Sequence, residues 1–101
     1  MKHLGEIGMY PLISRDRIEQ LVSMHQAVDA VLLPAPEGNK KIIMKVLYKD
    51  VNGELLEGYL AMAYKPEART FSSPDSAWRL SRKLGLKNLM IDNDKFAGAA
   101  A

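Results

Sequence analysis

Three lysines recur at every fourth residue in one segment of the chain, at Lys41, Lys45 and Lys49. If this segment is a β-strand, their ammonium groups line one side of it at intervals of roughly 13 Å. Tyr59, in the next apolar segment, is an aromatic side chain that a hairpin would bring beside them. Cations for phosphate and a ring for base stacking are what a single-stranded nucleic-acid platform needs. The pattern therefore indicates a candidate nucleic-acid surface, and the competing interpretation is a solvated strand face that lysines keep soluble.

A second basic group has helical spacing. The residues from about 74–84 form an amphipathic pattern whose outer side carries Arg79, Arg82 and Lys83, with Trp78 at the border of the core. Cations near the end of a helix are favoured by the helix dipole, so this arrangement also occurs without a binding role. We take these residues, together with the lysines and Tyr59, as the candidate nucleic-acid or partner-binding surface.

The segment 77–86 partly fits the first helix of a helix-turn-helix, with Gly85 at the turn. The fit fails in 88–95, where a recognition helix should present basic groups. Asp92 and Asp94 stand there instead, and two carboxylates facing phosphate would be repulsive. We therefore predict an ordinary amphipathic helix with a cationic outer side.

The chain offers little for catalysis or metal binding. It has no cysteine, no glycine-rich phosphate loop, no serine nucleophile elbow and no histidine–glutamate metal motif. Of its two histidines, His3 lies near the terminus and His25 falls on an apolar stripe, where a structural role is expected. Asp92 and Asp94 resemble only part of a calcium loop, because the remaining oxygen ligands are missing. We predict no enzyme activity, no cofactor and no metal site.

Length and composition predict one small soluble domain over 1–101. The chain has 101 residues, of which 48% are hydrophobic and 26% charged, and its net charge is +2. That charge is too low to require a polyanionic partner by itself. Residues 1–6 and 95–101 are expected to be poorly ordered. The absence of cysteine and of a long apolar run predicts a cytoplasmic protein with no membrane association.

A β-hairpin over about 41–65 turns at residues 50–53, Asp-Val-Asn-Gly. A two-residue Asn-Gly turn would place Lys45 opposite Leu60 and would leave both faces mixed. A longer turn with Gly53 left-handed in a bulge places Lys45 opposite Tyr59 and separates the side chains cleanly. Because a shift of one residue moves every side chain to the other face, we predict the bulged turn.

In this register one hairpin face is wholly apolar and the other is mixed. The mixed face carries the lysines and Tyr59 together with Ile43, Leu47 and Leu55, which are apolar enough to predict an interface with a partner or with a second copy of the chain. The predicted core face carries Ile42, Met44, Val46, Tyr48, Leu56, Leu60, Met62 and Tyr64.

The first helix is predicted over about 15–26, with Ser14 as its N-cap. His25 continues its apolar stripe. The segment Val28–Leu33 fits either a continuation of the helix or a short strand. An edge strand is also possible around residues 7–10.

The second helix has clear signals at both ends. Ser73 supplies a capping hydroxyl, and Pro74 suits the first helical position. Gly85 fits the left-handed residue after the helix, and Leu86 can fold back in a Schellman motif. A final strand is predicted over 87–91.

These elements predict an α+β fold, namely a small antiparallel sheet built on the hairpin with both helices packed on its apolar face. Two functions from different classes remain open. One is a non-enzymatic accessory or regulatory protein that contacts nucleic acid. The other is a homodimeric protein-interaction module that binds no nucleic acid. A small enzyme or ligand-binding protein is a minor alternative.

Overall fold

The computed structural model describes residues 11–36, 40–93 and 95–96, and these residues form a five-stranded mixed sheet with two helices on one face. The strand order is β1-β4-β3-β2-β5, with antiparallel pairing among the three central strands and parallel pairing at both edges. The predicted α+β fold is confirmed, but the sheet is mixed and not wholly antiparallel as predicted, because β1 and β5 pair in parallel at its edges. In chain order the elements are β1 (Leu12–Ile13), α1 (Arg15–Ser23), β2 (Ala27–Pro34), β3 (Ile42–Lys49), β4 (Leu55–Leu60), α2 (Pro74–Leu84) and β5 (Asn88–Ile91).

Two crossover connections explain why both helices lie on the same face. The chain passes from β1 through α1 to β2, and from β4 through α2 to β5, each time between strands that run in the same direction. Both crossovers advance the same way across the sheet. Because such connections are right-handed in nearly all proteins, α1 and α2 are brought to one side. Both helices pack there against β2 and against each other.

The hairpin has the predicted register. Lys45 lies opposite Tyr59, as the bulged turn requires. The amide of Gly53 donates to the carbonyl of Asp50 at 3.0 Å, and Gly53 has a φ of 81°. The carboxylate of Asp50 also accepts from two backbone amides of the turn, which helps to hold this conformation. The separation into a core face and a mixed face is therefore confirmed for the paired part of the hairpin.

The second strand of the hairpin is shorter than predicted. β4 ends at Leu60, and the chain then reverses, with the amide of Arg69 donating to the carbonyl of Leu60 at 2.7 Å. Met62 and Tyr64 were predicted in the core and are exposed, Tyr64 to 97%. Pro66 lies within this reversal, and Ile42 at the start of β3 pairs with Phe71 instead of with the chain that follows β4.

Phe71 is a core residue beyond the hairpin that was not predicted from the sequence. Phe71 is buried and pairs with Ile42, exchanging backbone hydrogen bonds of 2.7 and 2.9 Å. The core consists of Ile13, Ile18, Leu21, Ala27, Ala30, Leu32, Ile42, Met44, Val46, Leu60, Phe71, Ala77, Leu80, Leu84 and Leu86, with Val22, Tyr48, Leu89 and Phe96 packed against it.

The first helix is also shorter than predicted. Ser14 caps it as expected, its hydroxyl accepting from the amide of Arg17 at 3.1 Å. α1 ends at Ser23, and His25 lies beyond it with a φ of 59°. His25 is exposed rather than part of a buried stripe. It occupies the left-handed position of a Schellman motif, in which the amide of Gln26 donates to the carbonyl of Leu21 at 2.8 Å.

The helix end decides the open question about Val28–Leu33. With α1 stopped by His25, the chain enters β2 at Ala27, so this segment is strand. β1, at Leu12–Ile13, was not predicted. The edge strand suggested around residues 7–10 and the residues 1–6 lie outside the described residues. At the other end, the amide of Phe96 donates to the carbonyl of Asp92 at 3.2 Å, while residues 97–101 are not described.

The second helix has the predicted ends. The hydroxyl of Ser73 accepts from the amide of Ser76 at 3.3 Å, and Pro74 is the first residue of α2. Gly85 has a φ of 89°, and the amide of Leu86 donates to the carbonyl of Ser81 at 3.0 Å. A Cβ atom on Gly85 would lie 2.9 Å from Cγ1 of Val22 in α1. Glycine is therefore required here both by the backbone and by the contact between the helices.

We predict that Gly85→Ala lowers the free energy of unfolding by about 1–2 kcal/mol from the left-handed backbone alone. Displacement of Val22 adds to this loss. Equilibrium unfolding in urea measures the change.

The opposite substitution, at the C-terminal end of α1, is the matched control. His25 holds the same left-handed position without being glycine. We expect His25→Gly to raise the free energy of unfolding by up to about 1 kcal/mol. Changes of the same sign in the two variants would contradict this account of the helix ends.

Candidate interaction surface

The side of the sheet away from the helices carries most of the predicted site residues. Its middle row runs across all five strands, because Lys45 pairs with Tyr59 and with Val31, Tyr59 pairs with Leu12, and Val31 pairs with Met90. We call this side the second face. It carries Leu12, Asp29, Val31, Leu33, Ile43, Lys45, Leu47, Lys49, Leu55, Glu57, Tyr59, Asn88 and Met90.

The second face is largely apolar. Val31 and Leu33 on β2 and Leu47 on β3 lie around Lys45 on the central strands and are each partly exposed. Leu12 and Met90 extend this apolar area to both edge strands and are exposed. Within the described part of the chain, the two helices contribute to the core on the opposite side of the sheet. The surface thus has the composition of the centre of a protein interface rather than of an ordinary solvated sheet.

The three predicted interface residues differ in exposure. Leu55 is 65% exposed near the turn, and Leu47 is partly exposed. Ile43 is only 3% exposed, so it does not offer surface to a partner. Its position between Leu33 and the lysines on the central strands makes it a support for the second face rather than a contact residue.

Charges on the second face are balanced by nearby groups. The ammonium of Lys45 lies 3.6 Å from a carboxylate oxygen of Glu57, and Lys45 is the more buried partner. The side-chain amide of Asn88 donates to the carboxylate of Asp29 at 2.8 Å. The ion pair of Lys45 contributes little stability, but it lowers the positive potential beside Tyr59. The lysine row is therefore less cationic than its spacing predicts.

The other predicted lysines lie at the two ends of β3. Lys49 is exposed and pairs with Leu55 beside the turn, whereas Lys41 is exposed just before the strand begins. Together with Lys45 they follow the predicted alternation along one side of the strand. Since the pair with Glu57 falls in the middle of the row, the three lysines do not form one continuous positive stripe.

The helical basic group lies on the outer side of α2. A guanidinium nitrogen of Arg79 is 2.9 Å from a carboxylate oxygen of Asp75, one turn earlier. The guanidinium of Arg82 lies over the ring of Trp78, 5.1 Å from its centroid, and Lys83 is exposed beside them. Trp78 was expected at the border of the core and is 45% exposed. This patch combines an aromatic ring with cations.

The two basic groups do not form one surface. α2 turns Ala77, Leu80 and Leu84 towards the sheet, so Arg82 and its neighbours point away from it. Lys45 lies on the far side of the same sheet. The thickness of the helix layer and the sheet separates the two groups, and a single nucleic-acid strand could not contact both without wrapping around the molecule.

A cleft of about 290 Å³ lies where the start of α1 meets the end of β4. Both arginines of the cleft already interact with other side chains. The Nε atom of Arg15 lies 3.6 Å from a carboxylate oxygen of Glu19, and the guanidinium of Arg69 lies 5.3 Å from the ring centroid of Phe71. The other lining residues are Ser14, Asp16, Leu60, Ala61, Met62, Ala63 and Leu80. No nucleophile paired with a base lies among these lining residues, so this cleft does not suggest catalysis.

The acidic and histidine side chains of the described residues form no metal cluster. Among these residues, no group of three or more His, Asp or Glu side chains is arranged to hold a metal ion. The carboxylate of Asp92 accepts from the amide of Lys95 at 3.2 Å, while Asp94 is not described. Neither of the described helices is long and apolar enough to cross a membrane.

Comparison with known proteins adds no relative: no family model, curated protein or solved structure matches the chain. Sequence reasoning found the half of the second face that the hairpin supplies. It missed Leu12, Val31 and Leu33, because β1 was not foreseen and Val28–Leu33 was not assigned as strand. It also missed Met90, because the predicted strand over 87–91 was not placed beside β2. The continuous apolar run from Ala30 to Leu33 was the signal for a strand with apolar side chains on both faces.

Proposed function

We propose that this protein is a non-enzymatic interaction module that self-associates through the second face of its sheet. One observation carries the proposal, namely the group of partly exposed side chains that surrounds Lys45 on the central strands and consists of Val31, Leu33, Leu47 and Tyr59. Removing such an area from water favours association by roughly 25 cal/mol for each Å² buried. An aromatic residue within it is typical of interface centres.

Charge favours a protein partner over nucleic acid at this surface. Lys45 is already close to Glu57, and Asp29 lies in the same sheet row as Glu57. A polyanion would meet both carboxylates and would have to displace Glu57 from Lys45. A protein surface that carries both signs meets no such repulsion.

The same balance of charge supports a second copy as the partner. The second face carries the ammonium groups of Lys45 and Lys49 together with the carboxylates of Asp29 and Glu57, so two copies of this surface can meet without an excess of either sign. Isologous pairing of one patch with itself is the commonest arrangement in homo-oligomers. We propose that the module acts in the cytoplasm, which the cysteine-free composition favours.

Substitution Leu47→Glu tests the proposal. It places a carboxylate among the apolar side chains of the second face. We expect the mass of the particle in solution to fall to half that of the unmodified protein or less. Light scattering coupled to size-exclusion chromatography measures the mass. Lys83→Glu, which introduces the same side chain on the outer side of α2, should leave the mass unchanged.

Because Leu47 is partly buried, Leu47→Glu could misfold, and a second variant at a more exposed position controls for this. Leu55 is 65% exposed on the same face, so Leu55→Glu is expected to fold normally and to weaken association less than Leu47→Glu does. Circular dichroism verifies the fold of each variant. Equal masses for the unmodified protein, Leu47→Glu and Leu55→Glu would contradict self-association through the second face.

Nucleic-acid binding is the second candidate, and the patch on α2 is the observation that favours it. Trp78 is exposed with Arg82 over its ring and Lys83 beside it. An exposed ring with adjacent cations suits stacking on a base and contact with phosphate. This surface is on the opposite side of the molecule from the second face, so both activities can coexist.

For this candidate we expect binding of a mixed-sequence oligonucleotide that weakens steeply as salt increases. Arg82→Gln should lower the affinity and reduce the slope of log K against log salt by about 1, since one phosphate contact is lost. Lys49→Gln on the second face is the matched control and should bind as the unmodified protein does. No binding at low salt, or an equal loss of affinity in both variants, would exclude the patch on α2 as a nucleic-acid-binding site.

A further inference from the structure

β5 is an edge strand whose outer side pairs with no described strand. Its four residues, Asn88–Ile91, carry no charge, and Met90 and Ile91 are 45% and 46% exposed. Natural edge strands usually carry a charge, a proline or a bulge that discourages pairing with another chain. The opposite edge, β1, has only two residues and directly follows Pro11. β5 is therefore the edge that is open to pairing in the described part of the sheet.

One hydrogen bond shows which backbone groups of β5 point away from the sheet. The amide of Asp92 donates to the carbonyl of Leu32 in β2 at 3.3 Å. Because backbone groups alternate in direction along a strand, the amide and carbonyl of Met90 also face β2. The amides and carbonyls of Leu89 and Ile91 then point away from the sheet. They form a row of donors and acceptors that a further strand can satisfy.

We propose that this edge pairs with β5 of a second copy of the chain, antiparallel about a twofold axis that passes beside Met90. Leu89 of each copy then lies opposite Ile91 of the other. Both residues point their backbone groups outward, so each such pair exchanges both of its hydrogen bonds. Met90 lies opposite Met90 of the other copy in the intervening non-hydrogen-bonded pair.

The side chains select this register and favour a second copy as the occupant. A twofold axis requires a residue to face itself, which leaves axes at Leu89, Met90 or Ile91. An axis at Leu89 would set Asn88 against Met90, and an axis at Ile91 would set Met90 against Asp92. The axis at Met90 matches every apolar residue of β5 with another and places the amide of Asn88 opposite the carboxylate of Asp92. The edge is therefore complementary to itself.

This contact goes beyond the proposed function and does not depend on it. The second-face contact buries side chains on one side of the sheet, whereas the edge contact is made by the backbone of β5. Pairing at the edge would join two sheets into one continuous sheet and place their second faces side by side. Each contact can therefore fail without the other.

Disulfide trapping with Met90→Cys tests the edge contact. The chain contains no cysteine, so the introduced thiol is the only one. In a non-hydrogen-bonded antiparallel pair the Cα atoms are about 4.5 Å apart, which lies within the range that a disulfide accepts. We expect mild oxidation to yield a covalent dimer, seen on a non-reducing gel.

Ile91→Cys is the matched control, because Ile91 has nearly the same exposure as Met90. In the proposed register each Ile91 faces Leu89 of the other copy, so the two thiols that this substitution introduces are offset along the strands and too far apart to join readily. We expect at least tenfold less trapped dimer than with Met90→Cys. Equal trapping of the two variants, or none with Met90→Cys, would overturn the proposal.

Two further substitutions in the Met90→Cys protein distinguish trapping through the β5 edge from trapping through the second face. Ile91→Pro removes an outward amide and leaves the ladder to β2 intact, so the fold should persist and trapping should be lost. Leu47→Glu disrupts the second face, and trapping should persist. If Leu47→Glu abolishes trapping while Ile91→Pro does not, Met90 meets its counterpart through the second face, and the edge proposal is wrong while the proposed function stands.

Discussion

The left-handed conformation of Gly53 decides which side chains enter the core. It permits the bulged turn that sets Lys45 opposite Tyr59. A register shifted by one residue would put Leu60 on the same face as Lys45, and Glu57 on the same face as Met44 and Val46. Since Leu60, Met44 and Val46 are among the largest fully buried side chains, such a shift would break up the centre of the core. The core on one side of the sheet and the second face on the other are thus two consequences of one turn.

The topology then determines where the surfaces lie. Both crossovers place their helices on one side, so the opposite side receives no described helix. A sheet covered on one side is ordinarily apolar on that side and polar on the other. Here Val31, Leu33 and Leu47 make the side that no described helix covers apolar as well, and this conflict between topology and composition is the reason to propose a partner. The same topology puts the basic patch of α2 on the far side of the molecule from Lys45.

Local signals in the sequence were sufficient for the features that depend on a few adjacent residues. The caps at Ser14 and Ser73, the glycine at the end of α2 and the turn at Gly53 all follow from the chemistry of neighbouring residues. Features that depend on distant partners were missed. A histidine in a left-handed position ends α1 early, and histidine signals this position far more weakly than glycine does. Likewise Leu12–Ile13 is strand only because β4 lies beside it, where Gly58 lets Ile13 approach closely.

The central claim is that the second face is buried between copies of this chain. Sedimentation equilibrium of the unmodified protein, over a range from micromolar to millimolar concentration, tests it most directly. The account predicts an average mass that rises with concentration and reaches at least twice that of one chain. A mass equal to one chain at every concentration would contradict it.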